Sequence, residues 1–145
     1  MTDVAGVDDV KERVRQQLCE WLGSVTDDGT CFVVDGEKVR TIVAVEADDD
    51  AHAVIRVHSV TNWGLSASPE LYRYAATDGG AAAAPCALRV VERDDGRCNV
   101  AVSYTLLGES VDPAELVSSV RNVASAAGDL AVAVKARFGG ALTWD

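Results

Sequence analysis

Three consecutive β segments, joined by turns of only a few residues, restrict the fold of this chain more than any other feature. They cover Thr30–Asp35, Val39–Glu46 and Ala51–Val60 and are rich in valine, isoleucine and threonine. Parallel neighbours need a crossover of about a dozen residues, so strands joined this closely pair as antiparallel hairpins. Side chains alternate along the third segment, which predicts that one sheet face is open to solvent or to a partner.

Three helices are predicted around these strands. Apolar residues recur every three or four positions over Asp8–Leu22, and Ser68 caps a short helix over Pro69–Ala76. Asp112 and the proline after it begin the last helix, Pro113–Phe138. That helix has an apolar seam, which we expect to pack in the core together with Trp21. The seam consists of Leu116, Val120, Val123, Ala127, Leu130 and Val134.

A second β pair lies between the short helix and the last helix. Its strands, Cys86–Arg93 and Cys98–Leu107, flank a turn containing the Asp-Gly dipeptide that is typical of hairpins. We expect a loop over Thr61–Ala67 and a linker of small residues after the short helix. The predicted order is therefore α-β-β-β-α-β-β-α, an α+β fold in which helices lie on one face of an antiparallel sheet. At 145 residues the chain fits a single domain, 1–145, compact from about residue 8 to 140.

The charge and hydropathy of the chain exclude several classes of partner. The net charge is −10, from 13 basic and 23 acidic residues, and most of the excess falls before residue 51. Such a surface repels phosphate groups, so we expect no nucleic-acid partner. No apolar run approaches the roughly twenty residues that a bilayer crossing needs, and the first residues lack a secretory signal pattern. We therefore expect no membrane partner and a soluble, cytoplasmic protein.

The residue types that usually carry catalysis are few and scattered. His52 and His58 lie on the same predicted strand about 20 Å apart, too far to share a metal ion. The sequence contains no zinc, nucleophile-elbow or phosphate-loop motif, so we expect no cofactor, no metal and no enzymatic activity. The cysteines lack metal-ligand spacing and are predicted to be reduced core residues. They are Cys19, Cys31, Cys86 and Cys98.

The element order resembles that of the type III secretion chaperones and the related YbjN-like proteins. The segment from Ser66 to Arg73 is similar to the stretch before the short helix in this family. The run from Tyr104 to Leu116, followed by a long helix that closes on Arg137–Gly140, is similar to the C-terminal half of actinobacterial YbjN-like domains. The resemblance covers residues from about 8 to 140.

The resemblance implies a homodimer that holds a client protein or peptide on its surface as a chaperone or adaptor. The residues themselves allow the same function, because a free sheet edge accepts an added strand without any reactive group. A regulatory or sensory domain that binds a small ligand is the alternative. The side chains predicted to contact a client are apolar and aromatic residues around the loop and short helix, with one arginine on the open strand face. They are Trp63, Leu65, Tyr72, Tyr74 and Arg56. The alternative for Trp63 is that it packs on the core as a lid.

Overall fold

A computed structural model describes residues 4–23, 25–36 and 38–142. Within them, the helices are α1 (Val4–Trp21), α2 (Pro69–Ala76), α3 (Asp78–Ala83) and α4 (Pro113–Phe138). The strands, in chain order, are β1 (Val25–Asp27), β2 (Phe32–Asp35), β3 (Arg40–Ala47), β4 (Ala53–Ser66), β5 (Ala87–Glu92), β6 (Arg97–Leu107) and β7 (Ala141–Leu142). The predicted α+β class and the order of the long elements are confirmed, with β1, α3 and β7 as additional short elements.

All seven strands belong to one antiparallel sheet. Its spatial order is β1-β2-β3-β4-β6-β5, and β7 pairs with β4 beyond the end of β3. The two longest strands, β4 and β6, lie at the centre and pair from Val54 opposite Leu107 to Ser66 opposite Arg97. Strand β5 pairs with β6 alone, so one of its edges is free among the described strands.

The hydrophobic core lies between one face of this sheet and the helices. Core-facing residues such as Val43, Ile55 and Val57 are fully buried and form one cluster with the buried residues of the helices. Every residue of the predicted α4 seam belongs to this cluster, as do Val10, Val14 and Leu18 of α1. The helices therefore cover one face of the sheet.

The ends of α4 follow from local chemistry. The Asp112 side chain accepts a hydrogen bond of 2.8 Å from the backbone N–H of Glu115, and Pro113 occupies the first turn, where its missing N–H costs nothing. At the other end Gly139 has a φ of 79°, a left-handed conformation that favours glycine, and its N–H bonds to the Lys135 carbonyl.

Strand β4 is longer than predicted. The stretch Thr61–Ala67, expected to be a loop, continues the strand as far as Ser66, because β6 is long enough to pair with it. Two register irregularities, between Val60 and Asn62 and between Asn62 and Leu65, interrupt the alternation of side chains beyond Val60, so this part of β4 lacks the pattern by which a strand is predicted. Asn62 is fully buried and its Nδ2 donates to the Ala131 carbonyl of α4 at 3.1 Å, which ties the strand to the helix.

The expected linker after α2 is instead a further helix, α3. Its alanines are the strongest helix formers, and this propensity outweighs the glycines at its start. Gly79 is buried, and a Cβ at this position would lie 2.6 Å from side-chain atoms of both Tyr74 and Leu88. Glycine thus allows α3 to approach α2 and β5 closely.

Two expectations about burial are wrong in part. Trp21, predicted to lie in the core, is at the last turn of α1 and is half exposed. Cys86 and Cys98 are buried, as predicted, whereas Cys31 is only partly buried and Cys19 is exposed on α1. Trp21 and Cys19 lie in the last turn of α1, and Cys31 immediately precedes β2. None of the helices among the described residues is long and apolar enough to cross a membrane.

We predict that Asp112→Ala lowers the free energy of unfolding by about 1 kcal/mol, because the first turn of α4 loses its side-chain cap. The urea midpoint should fall without a change in the slope of the transition. Asp129→Ala is the matched control, since Asp129 is exposed within α4, away from its caps. Equal destabilisation by the two substitutions would contradict the assignment of Asp112 as the cap.

Candidate functional site

The sheet face opposite the helices is uncovered among the described residues, and we call it the open face. Side chains on a strand point alternately to the two faces, so this face is defined by the neighbours of the buried core positions. Its residues on β3 and β4 are Ile42, Ala44, Glu46, Val54, Arg56, His58 and Val60. Those on β5 and β6 are Ala87, Arg89, Val91, Asn99, Ala101, Ser103, Thr105 and Leu107.

The open face carries a concavity of about 290 Å³ over its central strands. Ala101 and Ser103 of β6 lie at its centre, and these small side chains leave space beneath the longer ones on β4 and β5. Eight residues line it, and none of them is acidic. They are Arg56, His58, Val60, Arg89, Val91, Asn99, Ala101 and Ser103.

Arg56 lies at one side of this concavity, and one of its hydrogen-bond donors has no partner among the described residues. Its Nε lies 3.7 Å from a carboxylate oxygen of Glu46 on β3, an ion-pair distance that is too long for a hydrogen bond. The same Nε is buried and has no hydrogen-bond partner among the described residues. A buried donor of this kind is costly to leave unsatisfied, so a ligand that accepts its hydrogen bond would be stabilised.

His58 lies between the two arginines of the concavity. Burial lowers the pKa of its imidazole, Arg56 and Arg89 lower that pKa further, and Glu46 opposes them. At neutral pH the imidazole is therefore uncharged, and the two guanidinium groups supply the positive charge of the site. His58 is thus half-buried on the open face. His52, which precedes β4, is exposed, and its pKa is raised by a hydrogen bond to Glu109.

Nothing in this arrangement forms a recognisable catalytic pair. Ser103 is directly opposite His58 across β6 and β4, but no hydrogen bond joins their side chains. A serine nucleophile requires such a bond to its base, together with a third group that orients the base. In the part of the chain that the structure describes, no group of three histidine, cysteine or acidic side chains is placed to hold a metal ion.

The aromatic and apolar residues predicted to contact a client do not form one patch. Trp63 is 42% exposed and lies in β4, where the register is irregular. Leu65, two residues later, is only 1% exposed and packs in the core. The prediction of a loop that exposes both side chains is therefore wrong for Leu65, because the strand conformation turns it inward.

The two tyrosines of α2 are divided in the same way. Tyr72 is 39% exposed, and its hydroxyl donates a 2.6 Å hydrogen bond to Glu92 at the end of β5. Tyr74 is buried, with its ring centroid 5.5 Å from that of Phe138, and the Arg137 guanidinium lies 4.7 Å from its centroid. Tyr74 thus anchors α2 to the end of α4 and is not available to a client.

Comparison with solved structures identifies the fold. The crystal structure of YbjN from E. coli, for which a role as a transcription regulator has been suggested, matches with a TM-score of 0.59 at 16% identity. The match covers 87% of this chain and 91% of that one. The fold is YbjN-like.

Other comparisons add little to this result. A structure of a protein from Methanothermobacter thermautotrophicus matches with a TM-score of 0.47 at 14% identity, covering 90% of this chain and 99% of that one. No family model matches the chain. No curated protein matches it either. The similarity to YbjN thus supports the expected fold, while the link to secretion chaperones rests on the sequence resemblance alone.

Sequence reasoning identified Arg56 but not the site to which it belongs. Arg89 and Val91 come from β5, and Asn99 to Ser103 come from β6, so the concavity forms only when these strands pair beside β4. The available signal was the hairpin turn between β5 and β6, which predicts that pair. It does not predict that β6 inserts next to β4, because this pairing is distant in sequence.

We predict that Arg56→Gln raises the pKa of His58, because the substitution removes one of the positive charges that oppose protonation. The pKa can be followed by NMR titration of the imidazole protons. Arg40→Gln is the matched control, since Arg40 is held by Asp35 at 2.9 Å and is not among the charges that shift His58. An unchanged pKa in the Arg56 variant would show that the two groups do not interact.

Proposed function

We propose that this protein is a non-enzymatic adaptor or chaperone that holds an extended segment of a client polypeptide on the open face, beside the free edge of β5. The observation that carries the proposal is a sheet face that, in the part of the chain the structure describes, has no covering helix and a concavity that reaches an unpaired edge strand. An extended peptide can add main-chain hydrogen bonds to such an edge, while pockets beside it select alternate side chains.

Exposed apolar surface on this face supports the proposal. Val91 on β5 is 43% exposed and Leu107 on β6 is 66% exposed, and both lie on the open face. Apolar side chains exposed next to a concavity are typical of surfaces that bind other chains. Trp63 and Tyr72 remain candidates for client contact, whereas Leu65 and Tyr74 belong to the core, so their substitution would test stability and not binding.

The chemistry of the concavity favours binding over catalysis. Its polar groups are two guanidinium groups, a neutral imidazole, an amide and a hydroxyl, without a carboxylate to orient a base. We propose the homodimer that the resemblance implies as the assembled form.

A photoreactive benzophenone amino acid placed at position 91 should crosslink to client polypeptides in the native cytosol. The same amino acid at position 132 is the matched control, because both positions are exposed valines and only Val91 lies beside the concavity. Mass spectrometry of the crosslinked products identifies the clients. Crosslinking that is absent at position 91, or equal at both positions, would contradict the proposed function.

The alternative function, recognition of a small ligand, is favoured by the size of the concavity, which is near the lower limit for ligand sites. A thermal-shift screen separates the two functions. A metabolite that raises the melting temperature of the wild type but not of an Arg56→Gln, Arg89→Gln double variant would favour the small ligand, provided that no peptide has the same effect.

A further inference from the structure

The charge of the concavity is opposite to that of the chain. Acidic residues outnumber basic ones 23 to 13 in the sequence, yet the lining contains two arginines and no acid. The nearest carboxylate, that of Glu46, is beside Arg56 but outside the lining. Two guanidinium groups that line one concavity without a carboxylate in the lining both favour an anion in the space between them. A site of this composition is therefore complementary to negative charge.

We infer that the concavity binds an acidic client segment, with Arg56 and Arg89 each holding a carboxylate of an extended polypeptide. This inference rests on the proposed function and names the chemistry of its partner. Arginine is suited to the role, because its planar group can bind a carboxylate through two parallel hydrogen bonds. The unpartnered Nε of Arg56 provides one donor that such a carboxylate would satisfy.

The register of the sheet sets the spacing of the two carboxylates. Arg56 is opposite Thr105 of β6, and Arg89 is opposite Ala101, so the arginines are separated by four residues along the strand direction and by two strand spacings, about 10 Å, across it. Four residues of extended chain span about 14 Å. A peptide that runs along the strands above β6 would lie between the two arginines, and its side chains at positions i and i+4 point to the same side at the spacing along the strands. The side chain at i+2 would then lie over the small residues Ala101 and Ser103.

An acidic peptide fits this surface better than a nucleic acid does. Proteins that bind single strands combine positive charge with aromatic rings on which the bases stack, and the only ring in the lining is the imidazole of His58. Only two of the 13 basic residues line the concavity, on a chain with a net charge of −10, whereas a phosphate backbone needs a basic surface along its length.

The test uses fluorescein-labelled nonapeptides and fluorescence polarisation on the intact chain. The probe is Thr-Ser-Glu-Ser-Val-Ser-Glu-Ser-Thr, whose glutamates are four residues apart. A second peptide has the same composition with the two glutamates adjacent, and a third has glutamine in place of both. The protein variants are Arg56→Gln and Arg89→Gln, with Arg121→Gln as the matched control. Arg121 is exposed on α4, away from the concavity, and its substitution changes the net charge equally.

The inference predicts that the first peptide binds more tightly than the other two. Arg56→Gln and Arg89→Gln should each weaken its binding by about fivefold, the upper range for a solvent-accessible ion pair, whereas Arg121→Gln should have no effect. Circular dichroism confirms that the variants are folded. Equal binding of the glutamate and glutamine peptides, with crosslinking at position 91 intact, would overturn the preference for acids and leave the proposed function standing.

Three other results would also overturn the inference. Failure of every peptide to bind, together with loss of the crosslink at position 91, would remove both the inference and the proposed function. Displacement of the first peptide by a short oligodeoxythymidine at a lower concentration than by unlabelled peptide would identify a nucleic-acid site. Dimerisation that requires Arg56 and excludes the peptide, measured by light scattering, would identify a second copy of the chain as the occupant.

The neutral His58 adds a dependence on pH to this binding. The charged groups that act on it are Arg56 on its own strand, Glu46 on β3 and Arg89 on β5. A bound carboxylate would partly offset the arginines and raise the pKa of His58, so the complex would take up a proton. Affinity for the glutamate peptide should therefore increase as the pH falls from about 8 to about 6, where the peptide carboxylates remain ionised. His58→Gln should remove this increase, and an identical pH dependence in that variant would show that His58 is not responsible.

Discussion

The packing of the α4 seam against the central strands is the contact on which the rest of the molecule depends. The 26 residues of α4 make a helix about 39 Å long, which packs against β4, β6 and β3. The remaining helices are shorter and cover the sheet on either side, α1 over β3 and the α2–α3 pair over β5. The helices of the described chain therefore lie on one face of the sheet, and the other face is open to solvent or to a partner.

The sequence could predict the fold in outline because its strongest signals are local. Asp112 and Pro113 mark the start of α4, its seam repeats every three or four residues, and short turns require antiparallel pairing. The misassigned segments depend on distant contacts. Residues 61–66 resemble a loop until β6 pairs with them and α4 accepts a hydrogen bond from Asn62. Trp21 has the spacing of a core residue, but it is half exposed at the end of α1.

The candidate site was less predictable than the fold, because it depends on contacts between residues that are distant in sequence. Alternation along β4 was enough to place Arg56 and His58 on a shared face. No local pattern, however, reveals that β5 and β6 contribute Arg89 and two small residues beside them. Aromatic residues were the more conspicuous candidates, yet burial removes Tyr74 from consideration, and a hydrogen bond to Glu92 engages Tyr72. The concavity exists only because three strands pair in one order, and a local sequence pattern does not reveal that order. An aromatic residue, in contrast, is visible in the sequence by itself.

The concavity is positively charged although the chain as a whole is acidic, and this difference explains how an acidic protein could attract an acidic partner. At physiological ionic strength, charges more than about 8 Å apart in solvent are largely screened, so most of the carboxylates outside the concavity have little effect within it. Arg56 and Arg89 line the concavity and would act on a bound carboxylate at contact distance, where screening is weaker. Outside the concavity, acidic residues outnumber basic ones, and they disfavour the docking of an acidic chain where they predominate. Such a distribution contributes selectivity more than affinity, because it disfavours the incorrect docking positions of the same partner.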